Sequence, residues 1–390
     1  MREDRHTGVF EERESREGEP KAMEDIREKI MGGLFGLAIG DALGATTEFM
    51  SKREIEDTFG RHTEIVGGGW LHLRPGATTD DTAMALAVVR GIVDDPVNPI
   101  RRIGQHFIRW YESDPLDVGG TVRAALDAYD GDWFMAAKEA HDTLGGRSAG
   151  NGTLMRCLPV ALAYADIHTM ASISSDQSRM THYDGLAADS CVLYNRIVHR
   201  VLLGEELCGA IEAEAVGSPY EGSVSQKPIS TPSSYVVDTL SWALYIAYHA
   251  RDFEEAVVWA ANEGGDADTT AAVVGGLVGT YAGYDALPVR YVEALQDGNA
   301  LRDAAEQVWL VRQGATTMGG IIAIRGNSSY LVQVSHSHAR VLDLEQGKYF
   351  PPYYLNSILA RGYWEPFSGS NELLNELKGR VEDLGTEWGV

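Results

Sequence analysis

Two clusters of threonine and aspartate have the residue types of a site for a hard cation. The first lies within residues 78–82 and the second within 262–270, each just before an apolar run with helical spacing. Either cluster alone is explained as a helix cap, but adjacent carboxylates repel each other unless a cation or a helix dipole offsets their charge. Oxygen ligands of these types suit Mg²⁺ or Mn²⁺ better than zinc or copper. The six candidate ligands are Thr79, Asp80, Asp81, Asp266, Asp268 and Thr269.

A glycine-rich turn at residues 145–156 precedes another apolar helical run. Free backbone N–H groups at the N-terminus of a helix can hold a phosphate group. The turn is neither a P-loop nor a GxGxxG pattern that follows a strand. On its own it therefore also fits a plain connection between two helices.

Two shorter motifs carry further polar side chains. Residues 40–49 place Asp41 and Glu48 after the first glycine-rich helical run, and residues 181–184 place His182 just before another. A single histidine is more often a structural hydrogen-bonding residue than a catalyst. Taken alone, His182 is interpreted as structural.

The elements that must position these motifs are predicted to be helices. No regular alternation of strands and helices is visible, so we expect an all-α body of many packed helices. Glycine inside a helix costs about 1 kcal/mol relative to alanine, and close approach of two backbones is the usual compensation. The glycine-rich first and last helices are therefore predicted to pack side by side. The predicted helices cover residues 30–43, 82–93, 100–111, 119–129, 154–165, 185–203, 235–249 and 269–282.

The two ends of the chain differ in character from this body. Residues 1–22 are charged and have little to bury, which predicts a mobile tail. Residues 23–300 form the predicted catalytic domain, and residues 301–390 form a small C-terminal extension of α/β type. In this extension, short β-type runs joined by turns precede one amphipathic helix at 371–384. A structural lid or an oligomer contact would explain it.

Composition narrows the classes of partner. Acidic residues outnumber basic ones 57 to 33, and the net charge of −24 disfavours general binding to nucleic acids or anionic membranes. The 3 cysteines have no CxxC spacing, so neither a disulfide framework nor a zinc site is expected. Since neither a signal peptide nor a transmembrane run is visible, we expect a cytoplasmic protein. The oligomeric state is left open.

Five motifs taken in order resemble the ADP-ribosylglycohydrolase family, of the dinitrogenase-reductase-activating glycohydrolase type. They are GDALGATTEF, TTDDT, GNGTLMR, THYDGLAAD and GGDADTTAAVVGGLVGTYAG, within residues 27 to about 290. The resemblance implies a compact all-α fold that binds ADP-ribose beside two divalent metal ions, Mg²⁺ or Mn²⁺. Thr46-Thr47 and Tyr183-Asp184 depart from the common family pattern, and both changes bear on the shape of the pocket.

Roles follow from the resemblance residue by residue. The six acidic-cluster residues named above match the metal ligands. Glu48 matches the acid that approaches the metals, and with Asp80 and Asp81 it forms the set of candidate catalytic acids. The residues that match the substrate-binding segments are Gly150, Asn151, Gly152, Thr153, Met155 and His182.

The expected reaction is metal-dependent hydrolysis of the N- or O-glycosidic bond between ADP-ribose and a protein side chain. Arginine is favoured over serine as that side chain, because a guanidinium needs little acid assistance when it departs protonated. Two alternatives remain open. One is hydrolysis of a free ADP-ribosyl compound such as O-acyl-ADP-ribose, by a phosphohydrolase or a glycohydrolase. The other is a catalytically silent member of the fold that only binds ADP-ribose.

Overall fold

A computed structural model of the protein describes residues 21–313, 320–325, 328–334, 339–343, 348–350 and 363–366. The first and longest of these ranges is a body of fifteen α-helices, which confirms the predicted all-α class. Its helices are α1 (Lys21–Gly44), α2 (Lys52–Phe59), α3 (Asp80–Asp94), α4 (Pro99–Glu112), α5 (Gly120–Asp127), α6 (Trp133–Thr143), α7 (Leu158–Ala163), α8 (Ile167–Arg179), α9 (Gly185–Leu202), α10 (Leu207–Ala215), α11 (Val236–His249), α12 (Phe253–Glu263), α13 (Ala267–Ala282), α14 (Val289–Ala294) and α15 (Gly298–Arg312).

Helices α1 and α13 pack against each other along most of their lengths at the centre of the body. A Cβ atom added to Gly36 would overlap the carbonyl group of Gly275, and one added to Gly275 would overlap the carbonyl group of Gly36. Gly32 and Gly279 face each other in the same way one turn further along. The predicted contact between the two glycine-rich helices is therefore confirmed. It places the C-terminal end of α1 beside the N-terminal end of α13.

One of the eight predicted helices begins later than expected. The sequence predicts a helix over residues 154–165, but residues 151–156 form turns and α7 begins at Leu158. The Asn151 carbonyl accepts hydrogen bonds from the N–H groups of Leu154 at 2.8 Å and Met155 at 3.1 Å, which closes the chain into a tight turn. Pro159 suits the first turn of α7 because no hydrogen bond is required of its nitrogen there.

Helix α15 continues the helical body past residue 300, where the sequence suggests a domain boundary. Its residues Leu301, Ala304 and Val308 are buried in the hydrophobic core, and the helix packs against α1, α3 and α7. The body thus extends to Arg312, whose guanidinium donates hydrogen bonds to the carbonyl groups of Ala161, Leu162 and Tyr164.

The predicted β-type runs beyond the helical body form an antiparallel sheet. Its strands are β1 (Gly320–Arg325), β2 (Ser328–Val334), β3 (Ala339–Asp343), β4 (Lys348–Phe350) and β5 (Tyr363–Pro366), in the order β4-β3-β2-β1-β5. Ile322 pairs with Leu331 of β2 on one side and with Glu365 of β5 on the other. The predicted N-terminal tail, up to residue 20, and the predicted helix at 371–384 lie outside the described residues. Among the helices described, none is long and apolar enough to cross a membrane.

Candidate active site

The N-termini of α3 and α13 meet the C-terminal end of α1 beside a cavity of about 450 Å³. Five carboxylates line it, and we call them the acidic side: Glu48, Asp80, Asp117, Asp266 and Asp268. Five further lining residues carry no formal charge, and we call them the neutral side: Gly150, Asn151, Gly152, Met155 and His182. Because two helices begin at the acidic side, the positive ends of their dipoles offset part of its negative charge.

The first acidic cluster is fixed in place by Asp41, which is fully buried near the end of α1. Its carboxylate accepts hydrogen bonds from the backbone N–H groups of Thr79 and Thr82, each at 3.1 Å, and from the Thr82 hydroxyl. Burial raises the pKa of Asp41 to about 6, against the effect of these hydrogen bonds. Thr79 also caps α3, since its hydroxyl accepts a hydrogen bond from the N–H of Asp81. Asp41 thus joins α1 to the start of α3.

Asp81 joins the two acidic clusters beneath the cavity. Its Oδ2 accepts hydrogen bonds from the hydroxyls of Thr79 at 3.1 Å and Thr269 at 3.3 Å. Its Oδ1 is buried and has no hydrogen-bond partner. Burial, followed by repulsion from Asp41 and Asp80, raises the pKa of Asp81 well above its ordinary value. The two sequence clusters therefore form one three-dimensional cluster.

The second acidic cluster begins in a turn with left-handed glycines. Gly264 and Gly265 have φ values of 73° and 68°, and an added Cβ at either would overlap a neighbouring carbonyl group. Asp266 is the N-cap residue of α13 but makes no side-chain capping hydrogen bond. Its Oδ2 accepts a hydrogen bond from the Asn151 side chain at 3.0 Å. The Asp266 carboxylate thus faces the cavity and touches the neutral side, which a plain helix cap would not do.

Burial raises the pKa values of Glu48, Asp80, Asp117 and Asp268 on the acidic side. Burial raises the pKa of Glu48 to about 8, although the Trp70 indole N–H donates a hydrogen bond to Glu48 Oε2. Burial and then repulsion from Asp117 raise the pKa of Asp80 to about 7. Burial raises the pKa of Asp268 and that of Asp117 as well. So many like charges around one small volume favour a bound cation.

The neutral side depends on two glycines that allow close approach to His182. A Cβ atom added to Gly150 would lie 3.1 Å from His182 Nε2, and one added to Gly152 would lie 3.4 Å from His182 Cε1. Asn151 between them is held by its side-chain amide, which donates to Thr239 Oγ1 at 2.9 Å as well as to Asp266. The glycine-rich turn thus lines one side of the cavity, and hydrogen bonds hold its Asn151 side chain in place.

His182 is neutral near pH 7 and is connected to a buried guanidinium. Its Nδ1 lies 2.9 Å from the hydroxyl of Thr181, which also accepts a hydrogen bond from the Arg156 guanidinium at 2.9 Å. Burial, followed by the positive charge of Arg156, lowers the pKa of His182 to about 3. Burial lowers the pKa of Arg156 itself to about 10. His182 therefore serves the cavity as a hydrogen-bonding group without charge.

Comparison with protein families gives one match across most of the chain. The model of the ADP-ribosylglycohydrolase family matches residues 22–317. The chain belongs to the ADP-ribosylglycohydrolase family. It is accordingly a glycosidase, and the expected resemblance is confirmed. The matched range includes every side chain of the cavity described above.

Relatives of this glycohydrolase carry names of the same activity. It is 34% identical to an ADP-ribosyl-dinitrogen reductase glycohydrolase of Rhodospirillum rubrum, over 73% of this chain and 95% of that protein. It is 29% identical to the ADP-ribosylarginine hydrolase Tri1 of Serratia proteamaculans, over 72% and 79%. A solved ADP-ribosylglycohydrolase-related protein complex superposes with a TM-score of 0.65 at 31% identity, over 74% of this chain and 99% of that chain.

Most of the predicted site residues of the glycohydrolase lie around the one cavity. Thr79 and Asp81 lie beneath the lining of the cavity, where the Thr79 hydroxyl donates a hydrogen bond to the Asp81 carboxylate. The Thr153 side chain is fully buried away from the cavity, and its hydroxyl accepts a hydrogen bond from Ser178. The residues predicted from sequence that line the cavity are Glu48, Asp80, Asp266, Asp268, Thr269, Gly150, Asn151, Gly152, Met155 and His182.

Sequence reasoning missed several lining residues. Asp117 and Arg147 add one acid and one guanidinium, and Phe49 and Trp70 add two aromatic rings. Asp117 stands just before Gly119-Gly120 and the start of α5, the same arrangement of acid and helix start as in the two clusters. That signal was available in the sequence, whereas nothing in the local sequence indicates that Trp70 reaches Glu48.

The oxygen donors of the glycohydrolase fit a hard divalent cation by their chemistry. Asp81 Oδ1 is a buried carboxylate oxygen without a partner, which is costly unless a cation is present. The hydroxyls of Thr79 and Thr269 lie beside the same carboxylate. Among the described residues, no three His, Cys, Asp or Glu side chains are already grouped as a metal site. The fit therefore lies in the type and crowding of the donors.

Proposed function

We propose that this glycohydrolase cleaves the N-glycosidic bond between ADP-ribose and an arginine side chain, and that it requires Mg²⁺ or Mn²⁺. The observation that carries the proposal is a single cavity in which five carboxylates meet a neutral wall of glycine, asparagine and histidine. The acidic side suits cations and sugar hydroxyls. The neutral side, with Arg147 beside it, suits the diphosphate.

Two divalent ions would be held by the side chains of the two acidic clusters. Hard oxygen donors of this kind prefer Mg²⁺ and Mn²⁺. When bound, the ions supply Lewis-acid polarisation and a fixed position for the ribose hydroxyls. The residues that would hold them are Thr79, Asp80, Asp81, Asp266, Asp268 and Thr269.

The neutral side orients the rest of the substrate. Gly150 and Gly152 leave room for a ligand beside His182, because neither has a side chain. The Asn151 amide links this wall to Asp266, so the position of the diphosphate and that of the ribose are coupled through one hydrogen bond of 3.0 Å. Positioning of this kind accounts for a large part of the rate enhancement in hydrolases.

Proton transfer is assigned to the two predicted catalytic acids that line the cavity, Glu48 and Asp80. In hydrolysis a water oxygen bonds to C1 of the ribose, the bond from C1 to the guanidinium nitrogen breaks, and one proton moves from the water to that nitrogen. A carboxyl group with a pKa near the working pH serves best as acid or base. Asp81 lies beneath the lining and is assigned to cation binding alone.

The charge of the cavity favours a cationic leaving group. Asp117 adds a carboxylate beyond the predicted clusters, and its charge raises the pKa values of both Glu48 and Asp80. A guanidinium beside these acids gains electrostatic stabilisation that a serine hydroxyl does not. The name of the Serratia relative, an ADP-ribosylarginine hydrolase, supports the same choice.

A panel of substrates tests the proposal. Peptides ADP-ribosylated on arginine or on serine, and O-acetyl-ADP-ribose, are incubated with the protein and Mn²⁺, and the products are identified by mass spectrometry. We expect free ADP-ribose and unmodified arginine peptide as the fastest products. Faster turnover of the serine peptide or of O-acetyl-ADP-ribose contradicts the arginine assignment, and release of inorganic phosphate contradicts glycosidic cleavage.

A further inference from the structure

Two aromatic side chains line the cavity next to Glu48. Phe49 has an exposed fraction of 65% and Trp70 one of 46%, although both belong to the lining. Their ring centroids lie 5.4 Å apart with an angle of 49° between the planes. We call this pair the aromatic ledge. Two large rings left exposed at a cavity are typical of a binding surface.

The aromatic ledge is held in place on both sides. The Trp70 indole N–H donates a hydrogen bond to Glu48 Oε2. Phe49 has a left-handed backbone, with φ of 61°, and its N–H donates to the Gly265 carbonyl at 2.7 Å. A left-handed conformation is unfavourable for a bulky residue and persists where the surroundings impose it. The ledge is thus a preorganised surface attached to both a catalytic acid and the second acidic cluster.

The charges around the ledge define what it can bind. Glu48 accepts the hydrogen bond from Trp70, and Asp117 and Asp266 line the same cavity as the ledge. Aromatic faces carry negative potential and attract cations, most strongly for tryptophan. A flat cation is therefore the complementary ligand. A guanidinium matches, because it is planar and stacks on aromatic rings.

We propose that the aromatic ledge binds the guanidinium of the ADP-ribosylated arginine and thereby sets the preference for this leaving group. This inference rests on the proposed function, since it names the part of the same site that recognises the side chain. The arginine lies with its planar face on Trp70 or Phe49 while the acids beside them compensate its charge. A serine side chain makes neither contact.

Three substitutions distinguish the contribution of the aromatic face from those of apolar bulk and of the hydrogen bond to Glu48. Phe49→Leu removes an aromatic face, keeps apolar bulk and leaves Glu48 untouched. Trp70→Phe and Trp70→Leu both remove the hydrogen bond to Glu48, but only the first keeps a ring. Trp259 offers the matched control, because its indole N–H also donates to a glutamate, Glu263, at 2.8 Å, and Trp259 does not line the cavity.

Kinetics on an arginine-ADP-ribosylated peptide give the first readout. We expect Phe49→Leu and Trp70→Leu to raise KM about tenfold, as the loss of a cation–π contact predicts. Trp70→Phe should retain most of the affinity while kcat changes, because Glu48 loses its hydrogen bond. The Kd of free ADP-ribose, measured by calorimetry, should be unchanged in all three variants and in Trp259→Leu. An unchanged KM, or an equal loss of ADP-ribose affinity, overturns the inference.

Binding of agmatine, which carries a guanidinium but no ADP-ribose, gives a readout that does not need turnover. Wild-type protein saturated with ADP-ribose should bind agmatine. The Phe49→Leu and Trp70→Leu variants should bind it about tenfold more weakly. If the Phe49→Leu and Trp70→Leu variants bind agmatine as tightly as the wild type does, the ledge proposal is wrong. If agmatine binding depends on the ledge but the arginine peptide is not cleaved, only the proposed reaction is wrong.

Discussion

The acidic side and the neutral side of the cavity respond to burial in opposite directions. Burial raises the pKa of Glu48 to about 8 and lowers the pKa of His182 to about 3. In both cases the charged form is the one that loses hydration, so burial alone drives both sides towards neutrality. A bound cation would restore the negative charge on the acidic side only. We therefore propose that the difference between the two sides depends on a bound cation, and this dependence can be tested.

The largest effect is expected for Asp266→Asn on the acidic side. The change keeps the shape but removes the charge of a proposed metal ligand. We expect a loss of activity of about a thousandfold or more, since removal of a group that acts on the reacting centre costs this much. Helical circular dichroism should be unchanged, because Asp266 makes no side-chain capping hydrogen bond.

Asp252→Asn is the matched control for this prediction. Asp252 caps α12, where its side chain accepts a hydrogen bond from the N–H of Glu255, and it lies outside the cavity. The control should keep full activity. A loss of helicity in Asp266→Asn, or an equal loss of activity in Asp252→Asn, would indicate that the second cluster acts only as a structural helix cap.

A smaller effect is expected for Gly150→Ala on the neutral side. The added Cβ would lie 3.1 Å from His182 Nε2, so the imidazole must shift. We expect KM to rise about tenfold with a smaller change in kcat, because we propose that this side positions the substrate without touching the breaking bond. Gly209→Ala is the control, since an added Cβ there meets nothing within 4 Å. A fall in kcat as large as that of Asp266→Asn would contradict the proposal that the neutral side positions the substrate while the acidic side acts on the breaking bond.

The smallest effect concerns the stability of the protein freed of metal. The folded pKa values of Asp41, Asp80 and Glu48 are raised to about 6, 7 and 8, so between about pH 4 and pH 8 the folded state binds more protons than the unfolded state. The free energy of unfolding should therefore fall as pH rises through this window. We expect Tm in EDTA to drop by several degrees from pH 5 to pH 8, and Mn²⁺ to raise Tm more at pH 8. A Tm that rises over this window contradicts the prediction.

The central helix pair could be predicted from sequence because its signal is local. Gly36 and Gly275 lie in apolar helical runs where only a close backbone contact offsets their cost, and the structure has that contact. The helix predicted over 154–165 was wrong at its start, because its apolar spacing continues through a turn that depends on the Asn151 carbonyl. Helices such as α8, with serine and histidine among its apolar residues, owe more to tertiary packing than to pattern.

The lining of the cavity was predictable where its residues belong to helix starts with a distinct composition. Trp70 was not predictable, because its contact with Glu48 arises from two loops brought together by the fold. The direction of Thr153 was also beyond the sequence. A turn residue can face either way, and here the hydroxyl bonds to Ser178 in the interior.

Turnover of an arginine-ADP-ribosylated peptide, measured during a titration with Mn²⁺ after removal of metal by EDTA, tests the central claim most directly. The proposed dependence of the acidic side on a cation predicts that activity is abolished by EDTA and restored by Mn²⁺ or Mg²⁺ in the wild type. In Asp266→Asn the restored activity should stay orders of magnitude lower. Undiminished turnover in EDTA would contradict a cation at the acidic side.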